Sequence, residues 1–460
     1  MTNEEIGVDF EIMKAGDVER YLGDMVGNEV TEEARFDDQM EKMRKEGDRW
    51  SRAGIGVHGR AIVANTILIS KVKFRADVST QSKALRKRMY EAIRSFMWQG
   101  KKAGMKWEVM VRPEEEGGVG VKDPGCMLDA AKVSMIRKLK EKERQPWKKW
   151  VERKVKRVAD RWGVRDVLTA EPTRKQTREL DESCLVESTL KVWFEVGQPK
   201  VKGEWMEAEY RQKEEKRKLD DEKTVLVGWC PVAARQRREE KHKHKMMNMN
   251  EEEKQEIGLV MEGEWQPLEG LRTKLIYNTL MNKRLKLKKY KPRKTHENIQ
   301  TIQKELTANE RDYWWRLSHR LIMTNERVSK YNKDVQSDCP VCGEQKEDWA
   351  HYDYACEKEQ EMVGKVAMKM KRKELSREQW GLDTTDLKEE EMVVVAKARW
   401  IYHKERCKMD MGMKKRMNVT VLMNRLERAM ETSEESKRRK LEKKQEKEQK
   451  KKQEKKQEKI

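Results

Sequence analysis

The chain has 460 residues, of which 41% are charged and 36% are hydrophobic. This apolar content supports one or two modest cores and excludes a single compact globule that includes the whole chain. The net charge of +21 favours nucleic acid as a partner over an acidic membrane surface, and an ordinary lysine-rich soluble protein is the alternative.

The cysteine residues and the hydropathy of the chain indicate the cellular compartment of the protein. Four of the seven Cys residues are isolated in sequence, which fits a reducing compartment better than a disulfide framework. These are Cys126, Cys184, Cys230 and Cys407. The sequence shows no signal-peptide pattern, and no apolar run approaches the roughly 20 residues that span a bilayer. We therefore expect a nuclear or cytoplasmic protein that is neither secreted nor inserted in a membrane.

The scarcity of breakers predicts a mainly α fold, since the chain has only 9 Pro and 25 Gly. In chain order, short strand-like pieces at residues 7–12 and 21–23 precede a predicted helix at residues 32–46. Residues 62–78 are largely apolar and are predicted to be helical as well.

Residues 82–98 form the clearest amphipathic helix. Leu85, Met89, Ile93 and Phe96 recur at helical spacing, and burial of each contributes roughly 1.5–3 kcal/mol. The opposite face is basic, and it is either a solvated surface or a nucleic-acid contact that continues into the following loop. The candidate nucleic-acid-binding residues are Lys83, Arg86, Lys87, Tyr90, Arg94, Lys101 and Lys102.

The next part of the chain begins with a glycine run and is then dominated by charge. The Gly-Gly-x-Gly run at residues 117–120 lacks the Lys-Ser/Thr of a P-loop, so we predict a tight turn that enters a short strand. Residues 146–255 are mostly charged, and we predict a linker or spacer that is partly disordered. His242 and His244 in this stretch are expected to be incidental and not metal ligands.

Helical character returns after residue 271. It extends to an aromatic cluster at residues 313–315, which either packs against a neighbouring module or stacks on bases. Residues 392–402 and 419–430 are predicted to form two more helices. The Lys/Glu/Gln repeats of residues 433–460 cannot bury a core, and this tail is either helical or disordered.

A Cys-x2-Cys-x8-His-x4-Cys pattern is the most specific signal in the chain. It consists of Cys339, Cys342, His351 and Cys356. A Cys-x-x-Cys turn places two thiolates on one edge of a tetrahedron, and the returning His and Cys close it around Zn²⁺. Chance proximity in a polar stretch is the alternative. Because four protein ligands leave no position for water, we predict one structural zinc ion and no catalytic metal.

The flanks of this pattern fit a metal site. Pro340 and Gly343 are turn residues at the Cys-x-x-Cys corner. A metal-bound histidine normally donates its other ring N–H to an acceptor, and we predict that Glu347 or Asp348 accepts it from His351.

Taken in chain order, several phrases resemble the C-terminal part of a non-LTR (LINE-type) retrotransposon reverse transcriptase. That part comprises the end of the palm, the thumb and the zinc-binding region. Each phrase is weak alone, and their order adds to the resemblance, which covers residues ~20–140 and ~270–410. The phrases are Tyr21-Leu22-Gly23; Gly59-Arg60 with Asn65; Arg94, Phe96, Trp98, Gly100 and Lys101; Trp107-Glu108 with Pro113 to Gly120; Tyr277, Trp315, His319 and Thr324 leading into the zinc motif; and the trailing Trp400 and Arg406.

The resemblance implies a thumb that grips the template–primer backbone and a zinc region that engages the RNA of the element. A reverse transcriptase also needs carboxylates that hold two Mg²⁺ ions, and in the family these precede the Tyr-Leu-Gly phrase. Asp37-Asp38 follows that phrase and has Arg35 where the family has an aromatic residue, while Asp220-Asp221 lies in a charged helical stretch. We therefore expect no catalytic residue and no Mg²⁺ site here. We interpret the chain as a truncated or decayed element, or a reading frame cut from one.

These observations predict a catalytically inactive remnant that binds RNA or DNA, in a retroelement ribonucleoprotein, with neither a membrane nor a small-molecule substrate. The alternatives are a helical protein-interaction or structural protein, and the non-catalytic part of a reverse transcriptase completed by an upstream palm. The predicted segments are the end of the palm at 1–50, a thumb-like helical bundle at 51–145, the charged linker at 146–255, a helical zinc-binding region at 256–360 with its site at 339–356, C-terminal helices at 361–432 and the Lys-rich tail at 433–460.

Overall fold

Helix dominates the backbone, as the scarcity of Pro and Gly predicts. Among the described helices, none combines the length and the apolar content needed to cross a bilayer. The computed structural model describes residues 17–21, 24–27, 30–101, 103–139, 145–223, 238–243, 256–286, 293–343, 346–414 and 416–432, with single residues at 246, 249, 253, 435 and 442.

The elements follow one another in this order. The first half contains β1 (Val18–Tyr21), β2 (Asp24–Gly27), α1 (Glu32–Ser51), α2 (Val57–Val63), α3 (Ile69–Val78), α4 (Lys83–Trp98), α5 (Trp107–Met110), α6 (Pro124–Leu139), α7 (Pro146–Trp162), α8 (Arg174–Arg178), α9 (Leu185–Val196), β3 (Gln198–Val201) and α10 (Lys202–Lys223). The second half contains β4 (Ile257–Met261), β5 (Glu264–Pro267), α11 (Thr273–Leu285), α12 (Lys294–Ile302), α13 (Ala308–Ser318), α14 (Asn325–Ser329), α15 (Glu357–Lys369), α16 (Arg377–Trp380), α17 (Glu389–Asp410) and α18 (residues 419–432).

Most helices predicted from the sequence are present with similar bounds. This holds for the predictions at 32–46, 62–78, 82–98, 392–402 and 419–430, although a single π-helical turn at Ala64–Leu68 interrupts the second of them. Leu85, Met89, Ile93 and Phe96 are all buried, so the amphipathic stripe of α4 is confirmed. The piece predicted at residues 7–12 and the Lys-rich tail lie outside the described residues, apart from two single positions in the tail.

The chain forms two compact units. Unit 1 comprises Met1–Arg49, Val63–Phe96 and Lys122–Lys288, and unit 2 comprises Trp50–Ile62, Met97–Val121 and Lys289–Ile460. Each unit combines three separate stretches of the chain. The sequence analysis instead divided the chain into consecutive segments, and these segments remain a prediction.

In unit 1, helix α6 packs against α3, α9 and α11. Strands β1 and β2 pair antiparallel, and β3, β4 and β5 form a three-stranded antiparallel sheet in that order.

In unit 2, helix α17 packs against α12, α13 and α15. Its core includes Trp314 and Trp380, which are almost fully buried, together with Val395 and Ala396 from α17 itself. The indole N–H of Trp314 donates to the carbonyl of Ala396 (3.2 Å).

Two expectations about the middle of the chain differ from the structure. Residues 146–201, assigned above to a charged linker or spacer, contain packed helices in which Val151, Val158, Leu190 and Trp193 are buried. The indole of Trp193 donates to the carbonyl of Leu168 (3.2 Å). The apolar residues of α7 lie on one stripe, and the many charges around them obscured it.

The prediction of a short strand after the glycine run is also wrong. Residues 119–121 belong to no sheet: the amides of Val119 and Val121 both donate to the carbonyl of Met110, and Gly120 between them has φ 68°. The predicted tight turn is present, and a Cβ on Gly118 would lie 2.0 Å from the carbonyl oxygen of Arg112. The glycine at this position therefore has a steric cause.

Candidate metal centre

The first two cysteines lie on a small hairpin whose ends pair through Asp338 and Lys346. Inside it, the amide of Gly343 donates to the carbonyl of Cys339 (2.9 Å). Gly343 has φ 73°, a left-handed conformation that glycine adopts without strain. This turn brings Cys339 and Cys342 to the same side of the hairpin.

The other two residues of the pattern arrive on a short helical turn. His351 begins the π-helical turn His351–Ala355, and Cys356 is the residue before α15. The carboxylate of Asp348 accepts the backbone N–H of His351 (2.8 Å) and so orients the start of the turn. The turn delivers both side chains to the hairpin.

The four donor atoms have the spacing of a tetrahedral metal site. The Sγ atoms of Cys339 and Cys356 are 4.0 Å apart, and Sγ of Cys342 lies 3.4 Å from Nε2 of His351. All four donors lie within 4.8 Å of one another. Bonds of about 2.3 Å to sulfur and 2.0 Å to nitrogen, at tetrahedral angles, require separations of roughly 3.5–3.8 Å. The predicted Cys3His group is therefore confirmed as a cluster at metal-binding distance, and its donors fit one zinc ion.

Protonation also favours a cation at this place. The hydrogen bond between Cys339 and Cys356, followed by burial, raises the pKa of the Cys339 thiol, while the same bond lowers the pKa of Cys356 to about 4. Neighbouring buried thiolates repel each other. A divalent metal would offset that repulsion, since thiolates are the ligands and metal binding releases protons.

The predicted acceptor for the histidine ring is wrong. Nδ1 of His351 is buried and has no hydrogen-bond partner, although Glu347 and Asp348 are both close in sequence. Asp348 binds the backbone of His351 instead of its ring, and Glu347 is engaged by Arg406. The prediction used sequence proximity, whereas the carboxylates face other groups.

Glu347 ties the metal hairpin to two helices. Its carboxylate accepts from Nε of Arg406 on α17 (2.5 Å) and from the amide of Asn325 at the start of α14 (2.7 Å). Glu347 and Arg406 are both almost fully buried, and the Arg406 guanidinium also lies over the Tyr352 ring at 5.3 Å. A buried carboxylate that loses its cation costs about 3–5 kcal/mol, so this pair fixes the hairpin on α17.

A second buried arginine, Arg399, holds the helical turn that carries His351. Arg399 lies between the Trp314 and Trp380 rings, 5.7 and 5.8 Å from their centroids. It donates to the carbonyl of Asp353 (2.8 Å) and to its carboxylate (2.7 Å). Asp353 lies inside the turn that carries His351, so α17 positions both segments of the cluster.

Helix α4 presents only part of the predicted nucleic-acid face. Tyr90 is half-buried, and Nζ of Lys87 lies 3.8 Å from the carboxylate of Glu91. The candidates with exposed side chains on this helix are Lys83, Lys87 and Arg94.

Arg86 has a structural partner that the sequence analysis did not assign. Its guanidinium makes two hydrogen bonds, of 2.6 and 2.7 Å, to the buried carboxylate of Asp129. This contact turns Arg86 away from the solvent-facing group, so its placement on that face is corrected. Lys101 is exposed and belongs to unit 2, and Lys102 lies outside the described residues.

Some residues that carry the reverse-transcriptase resemblance meet in unit 2 although they are far apart in sequence. The carbonyl of Gly117 accepts from Nε1 of Trp315 (3.0 Å) and contacts Nε2 of His319 at 2.8 Å. The aromatic cluster at 313–315 is buried, and the Tyr313 hydroxyl lies 3.4 Å from that of Tyr352, next to His351. Of the two readings of that cluster, packing is the one found.

In comparisons with known proteins, the chain matches no protein-family model and no curated protein. The resemblance therefore rests on the motifs described above.

Proposed function

We propose that this chain binds nucleic acid, that one structural Zn²⁺ stabilises its C-terminal helices, and that it corresponds to the non-polymerising, C-terminal part of a LINE-type reverse transcriptase. The observation that carries the proposal is the Cys3His cluster, which occupies the position in chain order where the resemblance requires a zinc-binding region.

The donor set supports zinc as the metal. Three thiolates and one imidazole are soft or borderline ligands, and Zn²⁺ accepts them in a tetrahedron without a preferred distortion. Four protein ligands leave no open position, so the ion has a structural role and activates no water.

Charge supports nucleic acid as the partner. With a net charge of +21, binding would be mainly electrostatic and would weaken steeply with rising salt, because the release of counterions from the nucleic acid then gains less free energy. The buried aromatic residues at 313–315 are not available for base stacking, so the contacts must come from other groups.

Asp37 and Asp38, the Asp pair most similar to a polymerase signature, both form ion pairs with arginines. The carboxylate of Asp38 pairs with the buried guanidinium of Arg75 (2.6 Å), and Asp37 pairs with Arg88 (2.8 Å). Carboxylates committed to arginines are poor ligands for the two Mg²⁺ ions of a polymerase. We infer that the chain does not extend a primer by itself.

The test is binding of the zinc-loaded full chain to a structured RNA hairpin across a salt series. We expect log K to fall linearly with log salt, with one unit of slope or slightly less for each phosphate contact. A flat salt response, or no binding at low salt, contradicts the proposal. Primer extension by the same material with Mg²⁺ would contradict the inference of inactivity.

A helical protein-interaction role is the second candidate, because α3 exposes apolar side chains. Phe74 is 57% exposed and Val78, one turn later, is 52% exposed. Affinity capture with nuclease-treated extract separates the two roles. A Phe74→Ser variant that loses a captured protein but keeps RNA binding would assign this strip to protein contact.

A further inference from the structure

Helix α7 has two faces of opposite character. Val151, Val158 and Ala159 are buried in unit 1. The other face carries five exposed cations, of which Arg161 pairs with Glu187 (2.8 Å), together with the exposed carboxylates of Glu152 and Asp160. The other four cations are Lys149, Arg153, Lys156 and Arg157.

These four cations have no ion-pair or hydrogen-bond partner among the described residues. Lys149, Arg153 and Arg157 succeed one another at intervals of four residues, which places them about 5–6 Å apart along one row of the helix. Like charges at this spacing destabilise a helix unless an anion lies over them. On α1, by contrast, the exposed cations Lys42, Arg44 and Lys45 each pair with a carboxylate one turn away.

An exposed tryptophan borders this row. The Trp150 side chain is 48% exposed, and it is the one exposed tryptophan among those that the structure describes. Nζ of Lys154 lies 5.8 Å from its ring centroid. An aromatic ring beside a row of cations offers stacking to a base and charge to its phosphates.

We propose that the outer face of α7 binds the backbone of single-stranded nucleic acid, with Lys149, Arg153 and Arg157 on successive phosphates and Trp150 stacked on a base. This rests on the proposed function and assigns to it a surface that the sequence analysis did not select. A membrane surface is less suitable, because the apolar face of α7 is already buried and only one large apolar side chain remains to insert.

The test compares two triple variants of the zinc-loaded full chain that remove the same charge from exposed helical positions. The first is Lys149→Gln, Arg153→Gln and Arg157→Gln on α7. The matched control is Lys42→Gln, Arg44→Gln and Lys45→Gln on α1, where each cation lies within 3.6 Å of a carboxylate. The probe is fluorescent oligouridine, titrated across a salt series.

We expect the α7 variant to lose about 2 units of salt slope, since each phosphate contact on a single strand contributes about 0.7. The salt slope of the control should differ from that of the wild type by less than about 0.5 units, which is about a quarter of the loss expected for the α7 variant. Equal losses in both variants would show a response to net charge alone and would overturn the assignment. If the wild type itself does not bind, the proposed function fails, which is a separate result.

Two further measurements make the assignment specific. Trp150→Ala should weaken oligouridine binding about tenfold without changing the salt slope, because stacking releases no counterions. Unchanged affinity would remove the stacking contact from the proposal. Vesicles of phosphatidylserine and phosphatidylcholine provide the competing partner. If the α7 variant loses vesicle binding but keeps RNA binding, the face is a membrane surface and the assignment is overturned.

Discussion

Units 1 and 2 each bury a cluster of polar groups, but they neutralise it differently. In unit 1, the carboxylate of Asp129 is 2% exposed and is surrounded by Arg86, Arg284 and Lys132, with contacts of 2.6, 2.7 and 3.6 Å. In unit 2, three thiols and one imidazole face one another within 4.8 Å.

The difference lies in the source of the cation. The Asp129 cluster takes its positive charge from three side chains of the same unit, so its stability depends on the chain alone. The Cys3His cluster consists of donors only, and its stability requires an ion from solution. Unit 2 should therefore respond to metal and unit 1 should not.

The largest effect is expected from removing one metal ligand. Cys356→Ser should abolish metal retention and release the hairpin and the turn that pack on α17, next to α13 and α15. Structural zinc contributes roughly 10–16 kcal/mol in small modules, so the fold of unit 2 should open. Hydrogen exchange measured by mass spectrometry would detect the loss of protection in these helices.

Cys184→Ser is the matched control, because it makes the same atomic change at a half-buried cysteine of unit 1. It should keep the metal and the exchange pattern of unit 2. If α13 and α17 keep their protection from hydrogen exchange in Cys356→Ser, unit 2 does not depend on metal and the proposed difference between the units is wrong.

Asp129→Asn is the corresponding break in unit 1. It leaves the buried Lys132 and the partly buried Arg86 without their counter-charge, while Arg284 keeps its pair with Glu195, and the loss should cost about 3–5 kcal/mol. Urea unfolding followed by circular dichroism would measure this loss, while the metal content should not change. Asp160→Asn, at an exposed position of α7, should stay within about 0.5 kcal/mol of wild type.

As the pH falls, the two units should lose their stability at different pH values, unit 2 before unit 1. Burial alone raises the pKa of Asp129, but the Arg86 hydrogen bond and the charges of Arg86 and Arg284 lower it to about 2. The ionised Asp129 therefore contributes about 2–3 kcal/mol to the free energy of unfolding above about pH 4. This contribution is lost as the pH falls towards 2. Metal ligands bind protons as they release zinc, so unit 2 should open at a higher pH.

A single acid titration with a chromogenic zinc indicator and circular dichroism would follow both events. Zinc release with partial loss of helicity should precede the main transition, and Asp129→Asn should move only the later one. Coincident transitions would show that the two clusters are not independent.

The smallest effect concerns two equivalent helix caps. Thr307 and Glu310 form a capping box at α13, and Thr173 and Gln176 form one at α8. Thr307→Ala should cost about 1 kcal/mol in unit 2. Thr173→Ala should cost less, because α8 is five residues long and buries no side chain. Equal losses in thermal melts would contradict this ranking.

The sequence predicts features whose signal is local. The spacing of Cys339, Cys342, His351 and Cys356 is a short-range pattern, and so is the apolar stripe of α4. Both were predictable because ligand order and helical periodicity are visible within a few turns of chain. The stripe of α7 was equally local and could have been found if its charges had been given less weight.

Pairing across long separations was not predictable. The sequence analysis placed Arg86 on the basic face of α4, but its partner Asp129 and the further cation Arg284 are distant in sequence. Likewise, Glu347 has the chemistry to accept the His351 ring proton, but tertiary packing gives it to Arg406. Which charge meets which is decided by the packing of helices and not by neighbouring positions.

The metal content of the purified full chain tests the central claim most directly. Mass spectrometry of the metals in dialysed protein should give about one zinc per chain, and His351→Ala should lower it to near zero with no change at Cys184→Ser. Protein that is folded in unit 2 and holds no thiolate-bound metal would contradict the account.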